Sequence, residues 1–158
     1  MGQQHTSNRA SFDGEHTLAR RPVGVDDDIV TAVGKLSEAL EWVERARGRL
    51  YDFHQMCGHA DVLFEEAADR FAAAGAAEAA QRIRHDVIGR NVLDGRWTFQ
   101  VVEEFDDTYW APLRAVDSQI RNEHVGGRRH VYEAELKRAR ITRGHPHHQP
   151  VPPTRSAG

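Results

Sequence analysis

Histidine, aspartate and glutamate side chains are the groups in this sequence that could carry chemistry. The chain has ten histidines, and three of them lie near its middle: His54, His59 and His85, the last directly followed by Asp86. Imidazole and carboxylate groups bind metal ions and act as general acids and bases. A di-iron centre of the bundle type is not indicated, because that class requires Glu-x-x-His pairs and the sequence contains none.

The segment HDVIGR at residues 85–90 resembles the HDIG stretch of the HD-type metal phosphohydrolases. This resemblance implies a metal-dependent hydrolase in a helical domain. The metal ligands that it implies are His54, His59, His85 and Asp86. Asp117 is the only late candidate for the closing carboxylate, and it lies closer to the doublet than that family usually places it.

Other kinds of catalytic site have little support. Cys57 is the only cysteine, so the chain forms no internal disulfide, and this indicates a reduced, cytoplasmic setting. No Gly-x-Ser-x-Gly elbow and no glycine-rich phosphate loop occurs, and we expect no cofactor. The sequence also has no secretory signal and no apolar run of the ~20 residues that a membrane span needs.

Charge is distributed unevenly along the chain. Residues 25–123 contain 20 acidic and 11 basic residues, whereas residues 124–158 contain 7 basic and 2 acidic residues. The densest acidic cluster consists of Glu103, Glu104, Asp106 and Asp107, and the basic end contains Arg128, Arg129, Lys137, Arg138 and Arg140. The acidic cluster is either a solvated helix face or a docking site for a basic partner, with the chain's own basic end as one candidate. The basic end could equally contact phosphates, but the acidic body would repel a nucleic-acid duplex.

A long amphipathic helix must position these residues. Apolar residues recur from Ile29 to Phe71 at alternating spacings of three and four, which is typical of a helix that packs on another helix. The row is interrupted by three polar residues: Arg47, His54 and Asp61. A polar pair such as His54 and Asp61 on an apolar row fixes the register between helices when it is hydrogen-bonded. Gly58 is a possible point of kinking.

The rest of the ordered chain also favours helices. A second helix is predicted at about residues 76–90, and a third from Trp97 to Glu123, kinked at Pro112 and ended by Gly126-Gly127. Residues 92–102 could instead form a β-hairpin around Asp94-Gly95, but the helical spacing continues too far for a hairpin. A basic helix at residues 128–140 follows.

The segments at residues 84–110 and 126–136, RHDVIGRNVLDGRWTFQVVEEFDDTYW and GGRRHVYEAEL, resemble a family of small helical proteins from actinobacteria. The resemblance covers about residues 25–144. It implies a cytosolic bacterial setting, and it brings no activity, cofactor or site residue with it.

These patterns predict an all-α bundle in which the long N-terminal helix packs antiparallel against the helix at residues 97–123. The predicted domain spans residues 25–143, between a disordered tail at 1–24 and a disordered, Pro- and His-rich tail at 144–158. The function that we expect is a non-enzymatic protein-interaction module, most simply a homo-oligomer formed along the long helix, with Arg47, His54 and Asp61 setting the register. A metal-dependent hydrolase and a nucleic-acid binder are the alternatives.

Overall fold

The computed structural model describes residues 18–150. The helices of this part of the chain are α1 (Asp27–Ala73), α2 (Ala77–Asp86), α3 (Thr98–Phe105), a π-helical turn (Asp106–Trp110), α4 (Ala111–Val125) and α5 (Val131–Arg140). The all-α fold predicted from the sequence is confirmed.

Helix α1 has 47 residues, so it is about 70 Å long at the usual rise per residue. Its start is fixed by Asp26, whose carboxylate accepts a 2.8 Å hydrogen bond from the backbone N–H of Ile29. Asp27 and Asp28 in the first turn complement the positive end of the helix dipole. The helix continues through Gly58, and Gly75, with a φ of 82°, follows its last turn.

All the other helices contact α1, and they follow it in an antiparallel sense. Helix α2 runs back along its C-terminal part, where Arg84 pairs with Asp69 at 2.6 Å. Helices α3 and α4 continue toward its N-terminal end, as contacts of His54 with Thr98 and of Ser37 with Asp117 show. The predicted antiparallel packing is therefore present.

Helix α5 crosses the N-terminal part of α1 at Gly34. A Cβ atom at this position would lie 3.1 Å from the Cβ of Tyr132, so the absence of a side chain lets the two helices approach closely. The cross-over brings Val131 into a small cluster with Val30, Val33 and Val125.

The segment between α2 and α3 contains a tight turn and the start of a helix rather than a hairpin. Leu93 and Arg96 exchange two backbone hydrogen bonds of 3.3 and 3.0 Å across Asp94-Gly95, which forms a single β-bridge. Helix α3 then begins at Thr98, where the side chain of Gln100 accepts a bond from the backbone N–H of Trp97. The turn lies at Asp94-Gly95 and the helix begins at Thr98, so the turn signal and the helical spacing were both correct.

Pro112 was expected to kink the third helix, and the distortion lies just before it. The π-helical turn at Asp106–Trp110 widens the helix there, and Pro112 occupies the first turn of α4. Proline lacks a backbone N–H, and its ring clashes with the carbonyl four residues earlier, so the preceding turn cannot keep regular α-helical geometry.

The described residues include the inner part of each predicted tail, at residues 18–24 and 144–150. Residues 18–24 contact the helices: Arg21 forms a bidentate pair with Glu135 at 2.6 and 2.7 Å, and Ala19 packs on the valine cluster. These ion pairs and apolar contacts were invisible in a segment without periodicity. Residues 144–150 form turns, and the rest of both predicted tails lies outside the described range.

The buried core is small and consists of small side chains. In residues 18–150, eight hydrophobic residues are buried, all of them Val or Ala, whereas sixteen large hydrophobic residues are exposed. The described residues therefore expose more large apolar side chains than they bury.

We expect Val125→Ala to lower the free energy of unfolding by about 2 kcal/mol, because this fully buried side chain anchors the valine cluster. Urea unfolding followed by circular dichroism measures the change. Val23→Ala is the matched control, since Val23 is fully exposed and its replacement should change stability by less than about 0.5 kcal/mol.

Candidate functional site

Arg47, the first polar residue in the apolar row of α1, binds the π-helical turn. Its guanidinium donates to both carboxylate oxygens of Asp106 at 2.7 Å. The same group stacks on the ring of Trp110, 4.1 Å from its centroid, and donates to the hydroxyl of Tyr51 at 3.1 Å. The hydrogen bonds with Asp106 raise the pKa of Arg47 and lower the pKa of Asp106.

His54 and Asp61, the other two polar residues of the row, also bond to other parts of the same chain. The Nδ1 atom of His54 lies 2.7 Å from the hydroxyl of Thr98, and the carboxylate of Asp61 accepts a 3.1 Å bond from the backbone N–H of Gly89. They are not paired with each other. Each of the three residues thus bonds within its own chain, and a role in setting the register between two copies stays a prediction.

Within residues 18–150, the acidic cluster forms no ion pair with the basic end. Asp106 is held by Arg47, and Glu104 pairs with Arg96, whose hydrogen bonds lower the pKa of Glu104. Glu103 and Asp107 are exposed.

The basic residues at the other end have a separate structural role. Arg138 donates to the backbone carbonyls of Leu18 and Ala19, and Arg128 donates to that of Arg20 at 2.5 Å. These bonds hold the N-terminal segment against α5. Arg129, Lys137 and Arg140 are exposed.

The side chains implied by the resemblance to metal phosphohydrolases lie far apart. His54 is at the middle of α1, and His59 is exposed. The side chains of His85 and Asp86 bond to each other at the end of α2, beyond the Asp69–Arg84 pair. Asp117 lies beside Ser37, which is about 48 Å from Asp69 along α1. In residues 18–150, no three His, Cys, Asp or Glu side chains come close enough together to hold a metal ion.

A hollow of about 320 Å³ does lie beside His54, between α1 and the segment before α3. Its lining includes His54, Cys57, Asp61, Trp97 and Phe99. The hollow is open to solvent beside the middle of α1.

One face of helix α1 is apolar, and the other helices bury none of its residues. With Val33 as position a of a seven-residue repeat, Arg47, His54 and Asp61 are also a positions, and positions c, d and g form the adjacent face. Nineteen residues between Ile29 and Phe71 occupy c, d and g, and sixteen of them are apolar. The apolar ones are Ile29, Leu36, Val43, Leu50, Cys57, Phe64 and Phe71 at d, Ala32, Ala39, Ala46, Phe53, Ala60 and Ala67 at g, and Trp42, Met56 and Leu63 at c.

We call these nineteen residues the apolar face, and none of them is buried. Trp42 and Met56 are more than 60% exposed, and Phe64 and Phe71 are 45% exposed. The buried residues of α1, namely Val30, Val33 and Ala68, all lie at a or e positions. The other helices thus cover the side of α1 that carries its polar bonds and leave its most apolar side open.

Helix α4 extends the apolar face on one flank. Its inward residue is Asp117, and Arg114 and Arg121 project toward the e and b positions of α1. At about 100° per residue, Leu113 and Val116 must then lie on the opposite flank, beside the d row. Val116 is 51% exposed.

The sequence pattern identified the d row of this face but not its width. The alanines at g and the large residues at c form a face only when the repeat is in phase over the whole helix. An alanine at nearly every seventh position was the signal that could have shown it.

No family model, curated protein or solved structure matches this chain. The family resemblances stay predictions, and the candidate site rests on its own geometry. Among residues 18–150, no helix has the length and apolarity that crossing a membrane requires.

We expect Asp106→Asn to lower the melting temperature by several degrees at neutral pH, because it leaves the guanidinium of Arg47 without its carboxylate. The pKa of Asp106 is lowered by folding, so its contribution is present above the unfolded pKa of about 4 and is lost as the pH falls below that value. Thermal melts between neutral and acidic pH should therefore converge for the wild type and the variant.

Asp107→Asn is the matched control, since Asp107 is exposed and adjacent in sequence. Equal melting temperatures for all three proteins at neutral pH would show that the Arg47–Asp106 pair does not hold the helices together.

Proposed function

We propose that this protein is a non-enzymatic self-associating module in which two copies pack through the apolar face of α1. The observation that carries the proposal is that none of the nineteen residues of this face is buried and eleven of them are exposed. A cytoplasmic setting is part of the proposal, and it is supported by the single, unpaired Cys57.

The period of the apolar face favours a helix as its partner. A lipid surface needs only an apolar stripe, whereas a packed helix needs side chains in a regular repeat that its own side chains can fill. The repeat here stays in phase from Ile29 to Phe71, a length of about 63 Å. Helix α1 of a second copy is a partner of that length.

The distribution of large and small side chains indicates an antiparallel pair. When two copies of α1 are aligned so that position numbers across the pair add up to 103, d residues of one copy lie opposite g residues of the other. Leu36 then faces Ala67, and Val43 faces Ala60, with Leu50 and Phe53 facing each other at the centre. Two-fold symmetry repeats the pattern, so each d residue from Leu36 to Phe71 except Leu50 meets an alanine.

The charges and the area are compatible with such a pair. The only charged residues of the apolar face are Lys35, Arg49 and Arg70, all at c, where side chains lie at the rim of the contact. A strip about 63 Å long and about 10 Å wide covers on the order of 600 Å². With the flank of α4, it approaches the roughly 800 Å² per partner of a stable interface.

We expect Phe64→Glu to shift the protein from dimer to monomer, because the d position of Phe64 lies in the packed strip, where a carboxylate is costly, while its exposure leaves the fold of one copy intact. Sedimentation velocity over a micromolar concentration series measures the change. Gln55→Glu adds the same charge on an exposed b position and should leave the dimer unchanged.

A wild-type protein that sediments as a monomer across the whole series would remove self-association. Equal dissociation by both variants would attribute the effect to charge in general, and the apolar face would then not be the interface.

We expect Ala46→Cys to form a covalent dimer under mild oxidation, because Cys57 of one copy lies opposite position 46 of the other in the antiparallel alignment. Within one chain these positions are about 16 Å apart along α1, too far for a disulfide. Non-reducing electrophoresis gives the readout. Wild-type protein should not cross-link if the pair is antiparallel. A parallel pair would place the two copies of Cys57 side by side, and wild-type protein would then cross-link.

A further inference from the structure

A polar cleft of about 400 Å³ lies between α1, α4 and the turn before α5. It occupies the side of α1 formed by its e and b positions, on the other flank of the α1–α4 contact from the apolar face. Nothing in the proposed self-association uses it.

The floor of the cleft contains a buried ion pair. Asp117 is 2% exposed, and one of its oxygens lies 3.0 Å from a terminal nitrogen of Arg121. The Nε atom of Arg121 is also buried, and it has no hydrogen-bond partner within the described residues. That atom is closed to solvent, but the Arg121 side chain is 20% exposed and lines the cleft, so a ligand can reach the guanidinium at its terminal nitrogens.

Further basic groups line the same cleft. Arg114 stacks on Trp110 and lies 3.9 Å from Glu44, so its guanidinium is oriented but only loosely paired. Arg129 forms no hydrogen bond or ion pair with residues 18–150. His130 follows it with a φ of 57°, and no other non-glycine residue in this part of the chain has a positive φ. Strained backbone of this kind is retained where the position of a side chain matters.

The opposite wall is acidic. Glu41 and Glu44 from α1 face the cleft, together with the hydroxyls of Ser37 and Ser118. The cleft thus offers guanidinium donors at one side and carboxylate or hydroxyl acceptors at the other, in a volume within the usual range for small-molecule sites.

We propose that this cleft binds a small polar molecule that carries a phosphate monoester. The phosphate lies against the accessible side of Arg121 and against Arg129 and His130, since guanidinium groups match phosphate oxygens in geometry and charge. Hydroxyl or amino donors on the rest of the molecule bond to Glu41 and Glu44. Inorganic phosphate alone would fill only part of the space and leave these carboxylates unused.

The test follows the arginine Nε–H signals by NMR while glycerol 3-phosphate is added to the full-length protein at micromolar to millimolar concentration. We expect the Arg121 signal to shift saturably, with weaker binding of inorganic phosphate and no shift with glycerol. Arg129→Ala should weaken the binding of glycerol 3-phosphate about tenfold or more, the effect of removing one charge-assisted hydrogen bond.

Arg140→Ala is the control for the loss of one positive charge, because Arg140 is exposed on α5 and does not line the cleft. It should bind as the wild type does. The proposal is overturned if the Arg121 signal does not shift, if it shifts without saturation, or if Arg129→Ala and Arg140→Ala weaken binding equally. Each result is independent of the oligomeric state, which Phe64→Glu reports separately.

Discussion

The bidentate contact between Arg47 and Asp106 determines how the rest of the chain is arranged. It joins the middle of α1 to the π-helical turn, and Trp110 and Tyr51 pack around the same guanidinium. An ion pair of this kind adds little net stability where apolar packing could replace it, but it discriminates strongly between registers because a shifted pairing leaves a desolvated charge without a partner. His54 and Asp61 repeat the same principle one and two heptads further along.

The placement of these polar bonds at position a has a consequence for the surface. Polar residues that need partners turn toward the other helices, so the adjacent and more apolar side of α1 is turned outward. The apolar side chains buried in the described part of the chain are all Val or Ala, while Trp, Phe, Leu and Met side chains stay in contact with solvent. A single copy therefore pairs its polar side chains at position a but leaves many of its large apolar side chains exposed. A self-sufficient small domain buries such side chains.

Much of the fold followed from the sequence because the helices depend on local signals. The acidic start of α1, the spacing of its apolar residues and the paired glycines after α4 all act within a few residues of one another. The π-helical turn was not foreseen, since a proline indicates that a helix is disturbed but not how. The partners of Arg47, His54 and Asp61 were not foreseen either, because hydrogen bonds between residues 28 to 59 positions apart leave no periodic trace. The polar cleft depends on three elements meeting, and no segment of the sequence contains it.

The π-helical turn also sets the rotational phase of α4. Thr98 and Asp117 both face α1, although they are nineteen residues apart, which in a regular α-helix would rotate them about 100° away from each other. One residue is absorbed by the wide turn, and the remaining eighteen make about five complete turns. Removing a single residue from this turn would give a regular helix that still presents Asp117 to α1, whereas a regular helix that kept all nineteen residues would rotate Asp117 about 100° away. The position of the buried Asp117 carboxylate, and of the cleft around it, thus depends on the π-helical turn about two turns earlier in the helix.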